Sequence, residues 1–198
     1  MNVFTKKWRD LKHRRKFAKV GKGSPFIGRD LYVEGHVELG DYCRIREGVR
    51  IKVHKGAKLI IGNRCLLSWN CLIEVTKSVV IHDNAGIGEF ARVRDGAHLI
   101  YGTEAGWRYT PNFAEPIVIG EYAFIGSASF ISHGVTVGKG AVVGAHAVVS
   151  KDIPEFEVWG GVPAKFIRHR TKDLPPHIAE HAEKLLKEQG VREDRRSW

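Results

Sequence analysis

Residues 117–150 read IVIGEYAFIGSASFISHGVTVGKGAVVGAHAVVS. Ile119, Ile125, Ile131, Val137, Val143 and Val149 recur at every sixth residue, and a glycine or serine follows each one. A helix repeats its apolar face about every 3.6 residues and an ordinary strand every second residue, so a beat of six requires a chain that turns a corner in each repeat. The same beat extends backwards through Ile81-His82, Ile87-Gly88 and Val93-Arg94, then Ile61-Gly62, Leu67-Ser68 and Ile73-Glu74. It begins with Ile27-Gly28, Val33-Glu34, Leu39-Gly40 and Ile45-Arg46, making sixteen hexads between 27 and 149.

This pattern specifies an all-β chain wound as a parallel β-solenoid. Each hexad supplies one short strand with its aliphatic residue inward, stacked on the next coil at about 4.8 Å. Gly28, Gly40, Gly62, Gly88, Gly120, Gly126, Gly138 and Gly144 follow the inward aliphatic, where a narrow tube is expected to leave little room. Four residues after the aliphatic come further modest side chains, among them Cys43, Cys65, Cys71, Ala85, Ala91, Ala123, Ala141 and Ala147. Three six-residue faces make a triangular prism, whose hand the period does not set.

Three breaks interrupt the beat. Four extra residues separate Ile51 from Ile61, and two separate Ile73 from Ile81. The third break, 99–116, reads LIYGTEAGWRYTPNFAEP and has no aliphatic beat, so it leaves the prism as a loop. Loops on a rigid scaffold are where sites are usually built. His98 stands at the root of this loop, and imidazole titrates close enough to neutral pH to serve as a base.

The chain has 198 residues, 43% of them apolar, and a formal charge of +10. No apolar run nears the ~18 residues that span a bilayer. With no secretory signal, a cytoplasmic location is expected. Segment 1–26 is basic, and Phe4, Trp8, Leu11 and Phe17 fit one face of a helix. Such a segment covers the open end of the solenoid as a helix, makes peripheral contact with the anionic inner membrane surface, or is simply disordered. Residues 27–168 form the solenoid domain. In the tail 169–198, Pro175-Pro176 precedes an amphipathic helix carrying Ile178, Ala182, Leu185 and Leu186. The basic residues gather at the two ends without a stacking platform or groove-entering helix, which argues against nucleic acid as a partner. Cys43, Cys65 and Cys71 all occupy the small corner position, a packing role.

The hexads resemble those of the hexapeptide-repeat acyltransferases, which implies a left-handed parallel β-helix with short N- and C-terminal helices. The segment from Asn70 to His98 is similar to the maltose and galactoside O-acetyltransferases. Trp69-Asn70 is followed by Ile81-His82-Asp83-Asn84, His98 comes seventeen residues after Ile81, and Pro116-Ile117-Val118-Ile119-Gly120 restarts the coil. The resemblance implies His98 as general base and Asn70 as an acceptor contact, with Trp69 and Asp95 beside it. Asp95-Gly96-Ala97-His98-Leu99 departs from the family's Gly-His-Pro, which bears on the acceptor pocket. Asp95, Glu89, Glu104 and Glu115 are candidates to orient the imidazole, and Tyr101, Trp107, Tyr109 and Phe113 could stack on a sugar.

By the same resemblance, acetyl-CoA would lie along Phe124, Ser127, Ala145, Ser150 and Lys151. Trp159-Gly160-Gly161-Val162-Pro163-Ala164-Lys165-Phe166-Ile167-Arg168 is similar to the family's closing segment, with Lys165 and Arg168 facing the CoA phosphates. The family implies a homotrimer with sites at the subunit seams. It also implies transfer of acetyl to a sugar hydroxyl, on a polysaccharide or lipopolysaccharide precursor, without a metal. N-acetylation of a nucleotide-linked amino sugar and a non-catalytic scaffold are the alternatives. The γ-type carbonic anhydrases share the solenoid, but their histidine pair five residues apart is missing, since Gly138 follows His133 at that spacing.

Overall fold

The computed structural model describes residues 12–24, 30–100 and 110–170, together with His181, Lys184 and Glu188, which are helical. Three sheets of short parallel strands run along the molecule. The first contains β1 (Lys19–Val20), β3 (Val37–Leu39), β6 (Lys58–Ile61), β9 (Ser78–Ile81), β14 (Ile117–Ile119) and β17 (Thr136–Val137). The second contains β4 (Arg44–Ile45), β7 (Leu66–Leu67), β10 (Gly86–Ile87), β15 (Phe124–Ile125) and β18 (Val142–Val143). It ends on β20 (Glu157–Gly160) and the antiparallel β21 (Lys165–His169). The third contains β2 (Tyr32–Glu34), β5 (Arg50–Val53), β8 (Leu72–Val75), β11 (Arg92–Arg94), β16 (Phe130–Ile131) and β19 (Val148–Val149). A separate hairpin pairs β12 (Gly96–His98) with β13 (Asn112–Ala114).

The chain visits the first, second and third sheets in turn, so equivalent hexads stack in register. Ile45, Leu67, Ile87, Ile125 and Val143 form one inward column, each at most 1% exposed. The small residues that precede them on the same coils, Cys43, Cys65, Ala85, Ala123 and Ala141, are buried as well. Burial pushes the Cys71 thiol up to about 12, so it stays protonated.

The glycines answer a constraint different from the expected narrow tube. A Cβ on Gly120 would lie 2.6 Å from Lys139 N, and one on Gly126 would lie 2.5 Å from Val143 O. At these positions, as at Gly40, Gly88 and Gly138, it is the backbone of the neighbouring coil that excludes a side chain.

Corner one joins the first sheet to the second, corner two the second to the third, and corner three the third back to the first. At corner one, side-chain oxygens extend the ladder. Asp41 Oδ1 accepts from Lys22 N at 2.9 Å, Asn63 Oδ1 from Asp41 N at 2.8 Å, and Asp83 Oδ1 from Asn63 N at 2.8 Å. Hydrogen bonds from the Asn63 side chain and amide hold the Asp83 carboxyl below its usual range.

The solenoid starts earlier than residue 27. β1 pairs in parallel with β3, and Phe17 joins the buried core. Lys16 Nζ donates to Leu31 O at 2.6 Å, which ties this basic segment to the first coil. Phe4, Trp8 and Leu11, the rest of the apolar face expected of a helix there, lie outside the described residues.

Two outcomes test the packing. Ile73→Ala should cost about 2–5 kcal/mol in urea unfolding, while Arg92→Ala, on the exposed face of the same sheet, should stay within about 0.5 kcal/mol. All three cysteines should resist Ellman's reagent at pH 8 in the native protein and react fully after denaturation.

Candidate functional site

All three breaks in the hexad beat fall at corner three. The turn at 54–56 follows β5, the turn at 76–77 follows β8, and the 95–116 excursion follows β11. The coil closes beneath that excursion as if it were absent: β14 pairs with β9, and β16 pairs with β11, in unbroken register. The excursion therefore projects from a rigid corner. His98 sits on β12 opposite Asn112, partly buried, with Ala97 opposite Phe113.

Asp95 is the anchor of this arrangement. It is 0% exposed, and its carboxylate accepts from the amides of Thr76 at 2.5 Å, Lys77 at 2.8 Å and Ser78 at 2.8 Å. Its place at the acceptor is thereby corrected. Both oxygens accept from the backbone of the preceding coil, and the residue is fully buried, so its carboxylate acts as an anchor and is not presented to a substrate. Glu115 N donates to Asp95 O at 3.0 Å, so the two ends of the excursion close on the same residue.

The other carboxylates proposed to orient His98 sort by position. Glu115 Oε2 lies 3.1 Å from His133 Nδ1, and the Phe113 ring packs edge-on against His133 at 4.6 Å. Glu89 is at corner two, where its own backbone amide and the hydroxyls of Ser127 and Ser68 hold its carboxyl below the usual range. Glu104 lies outside the described residues, as do Tyr101, Trp107 and Tyr109.

Corner two collects Trp69-Asn70, Glu89-Phe90, Ser127-Ala128 and Ala145-His146 in successive coils. Asn70 adopts φ 56°, a left-handed conformation that asparagine tolerates, and it stacks over Gly48. Trp69 is half-exposed with the Arg46 guanidinium 4.7 Å above its ring. Ser127 and Ala145 share this column, whereas Ser150 and Lys151 stand at corner three beyond His133. Lys165 and Arg168 are exposed on β21. Phe124 stands off the corner-two column, on the outer face of the second sheet across Gly86.

One chain thus brings Asn70, Trp69, Glu89, Ser127 and Ala145 to one corner and His98, Ser150 and Lys151 to another. Glu89 is the member of the first group whose place there the sequence reading missed; its position one residue after Gly88 in the hexad was the available signal. Among the described residues no three of His, Cys, Asp or Glu converge as metal ligands, and no helix is long and apolar enough to cross a membrane.

Asp95→Ala should lower stability by about 2 kcal/mol, because it strands three partly buried amides at once. Hydrogen exchange should accelerate at residues 76–78 and in β12.

The family description "Bacterial transferase hexapeptide (six repeats)" matches residues 116–151. No curated protein matches the sequence significantly. Among solved structures, AntD, an N-acyltransferase from Bacillus cereus in complex with dTDP and 3-hydroxybutyryl-CoA, is similar at 20% identity and TM-score 0.72. The match covers 91% of this chain and 96% of that one. A galactoside acetyltransferase in complex with coenzyme A is similar at 25% identity and TM-score 0.60, over 86% and 74% of the two chains. A hexapeptide-repeat acetyltransferase from Vibrio cholerae is similar at 22% identity and TM-score 0.56, over 84% and 82%. Repeat, register and structural likeness together give this chain the left-handed parallel β-helix fold, with residues 116–151 matching the hexapeptide-repeat transferase model.

Proposed function

We propose that the protein is a cytoplasmic acyltransferase that moves acetyl from acetyl-CoA to a sugar hydroxyl, in the assembly of a polysaccharide or lipopolysaccharide precursor. The observation that carries this reading is His98 on a hairpin held off corner three by the buried Asp95 anchor. The likeness to two structures that hold CoA or an acyl-CoA supports the donor.

In this mechanism the acceptor oxygen attacks the thioester carbonyl as the His98 imidazole takes its proton. The tetrahedral intermediate then collapses, the C–S bond breaks, and the imidazolium returns the proton to the CoA sulfur. No covalent enzyme intermediate is needed, because the thioester is already activated. Ser127 and Ala145 would flank the pantetheine arm, with Ser150 and Lys151 beyond, and Lys165 and Arg168 would meet the CoA phosphates. Since His98 and Ser127 occupy different corners of one chain, a homotrimer that sets corner three of one subunit beside corner two of the next would complete the site. Asn70 and Trp69 would then meet the acceptor.

A second reading is N-acylation of a nucleotide-linked amino sugar, favoured by the coverage and TM-score of the AntD likeness. Hydroxyl and amino acceptors offered in parallel with acetyl-CoA discriminate between the two.

His98→Ala should lower acetyl transfer by about 10²–10⁴-fold while leaving acetyl-CoA binding by calorimetry unchanged. Equal turnover in the variant would remove His98 as the base, and absence of CoA binding in the wild type would remove the transferase reading.

A further inference from the structure

The outer face of the second sheet carries a groove of about 730 Å³. It runs from Arg44 on β4 to Val142 on β18, across five successive strands. Four intervals of about 4.8 Å give it a length of roughly 19 Å. None of this surface is used by His98 or by the Ser127 column.

Its chemistry is one-sided. Arg44, Arg46, Arg64 and Arg170 line it, and no Asp or Glu does. Two enclosed donors on the groove, Arg46 Nε and Asn84 Nδ2, have no acceptor among the described residues. Asn84 Oδ1 is already taken by Arg64 Nε at 2.7 Å. The groove therefore offers positive charge and donors, which an acceptor-rich anion satisfies.

Aromatic surface accompanies the charge. Tyr42 and Phe124, each about half exposed, line the groove, and Phe124 lies across Gly86, where an added Cβ would meet its ring at 3.1 Å. At the corner-two edge, Arg46 lies over Trp69, which makes the groove continuous with the Trp69-Asn70 corner. Tyr42, Arg44, Arg46 and Arg64 lie toward the β4–β7 end and Tyr122, Phe124 and Arg170 toward the β15–β18 end, so charge and ring surface occur at both ends of a length that suits a chain of sugars better than a single one.

We propose that this groove binds an anionic oligosaccharide, the acceptor chain of the transferase. Arg44 and Arg64 pair with its carboxylate or phosphate groups, and Tyr42 and Phe124 stack on its rings. The proposal rests on the reading of the protein as a transferase with a saccharide acceptor.

The test is calorimetric titration of the full-length protein with an alginate octasaccharide as the carboxylated probe, a phosphomannan fragment as the phosphorylated probe, neutral maltoheptaose, dTDP and CoA. At least one anionic probe should bind ten or more times tighter than maltoheptaose. Arg44→Ala/Arg64→Ala should weaken that binding tenfold or more, with CoA affinity and oligomeric mass unchanged. The proposal is overturned if neither anionic probe binds, if the double variant binds as well as wild type, or if dTDP displaces the oligosaccharide. A change of oligomeric mass in the variant overturns it too, by assigning the face to a contact between copies. CoA binding without anionic saccharide binding sinks the groove and leaves the transferase standing. Groove-dependent binding without CoA does the reverse.

Discussion

Everything in this protein depends on the backbone ladder between coils. Gly40 N donates to Ile61 O, Gly62 N to Ile81 O, His82 N to Ile119 O, Gly120 N to Val137 O and Gly138 N to Ile153 O, all at 2.7–2.8 Å. This column hydrogen-bonds each coil to the next at a fixed separation, so the sheets have exposed edges only at the two ends of the stack. At Gly40, Gly62, Gly120 and Gly138 the backbone of the next coil passes too close for an added Cβ, whereas His82 in the same column carries one.

A ladder this regular also limits where novelty can enter. An insertion within a strand would break pairing on both sides, whereas one at a corner leaves every rung intact. The 95–116 excursion obeys that rule, with β9 meeting β14 beneath it as directly as β6 meets β9. Asp95 then converts an insertion into a positioned element. Its carboxylate holds the preceding coil while its carbonyl accepts from Glu115, so the hairpin bearing His98 leaves and rejoins the stack at one anchored point. The outer face of the second sheet is shaped by the same regularity: evenly spaced coils turn scattered arginines and aromatic residues into a continuous groove.

Much of this is legible in the chain. The hexad beat, the inward aliphatics and the existence of an excursion near His98 follow from residue spacing, because parallel stacking imposes one period on every coil; the chain leaves the coil at Asp95, so His98 lies within the excursion and not at its root. The errors share a cause. Asp95 reads as an acceptor contact because a carboxylate three residues from a candidate base looks functional, yet its partners are amides nearly twenty residues earlier in the sequence. The first coil begins at β1 rather than after residue 26, because a two-residue strand among lysines carries no aliphatic beat. Glu89 and Ser127 are 38 positions apart and have no shared motif, although stacking sets them side by side.

By itself the sequence determined the period, the inward column, the glycine corners and the point where the coil is interrupted, since each is a local choice of residue type repeated along the chain. Only the tertiary structure decided which corner each break occupies, which carboxylate is consumed as an anchor, and which side chains line one groove. Those are relations between coils about twenty residues apart. Winding and register create them, and no single hexad contains them.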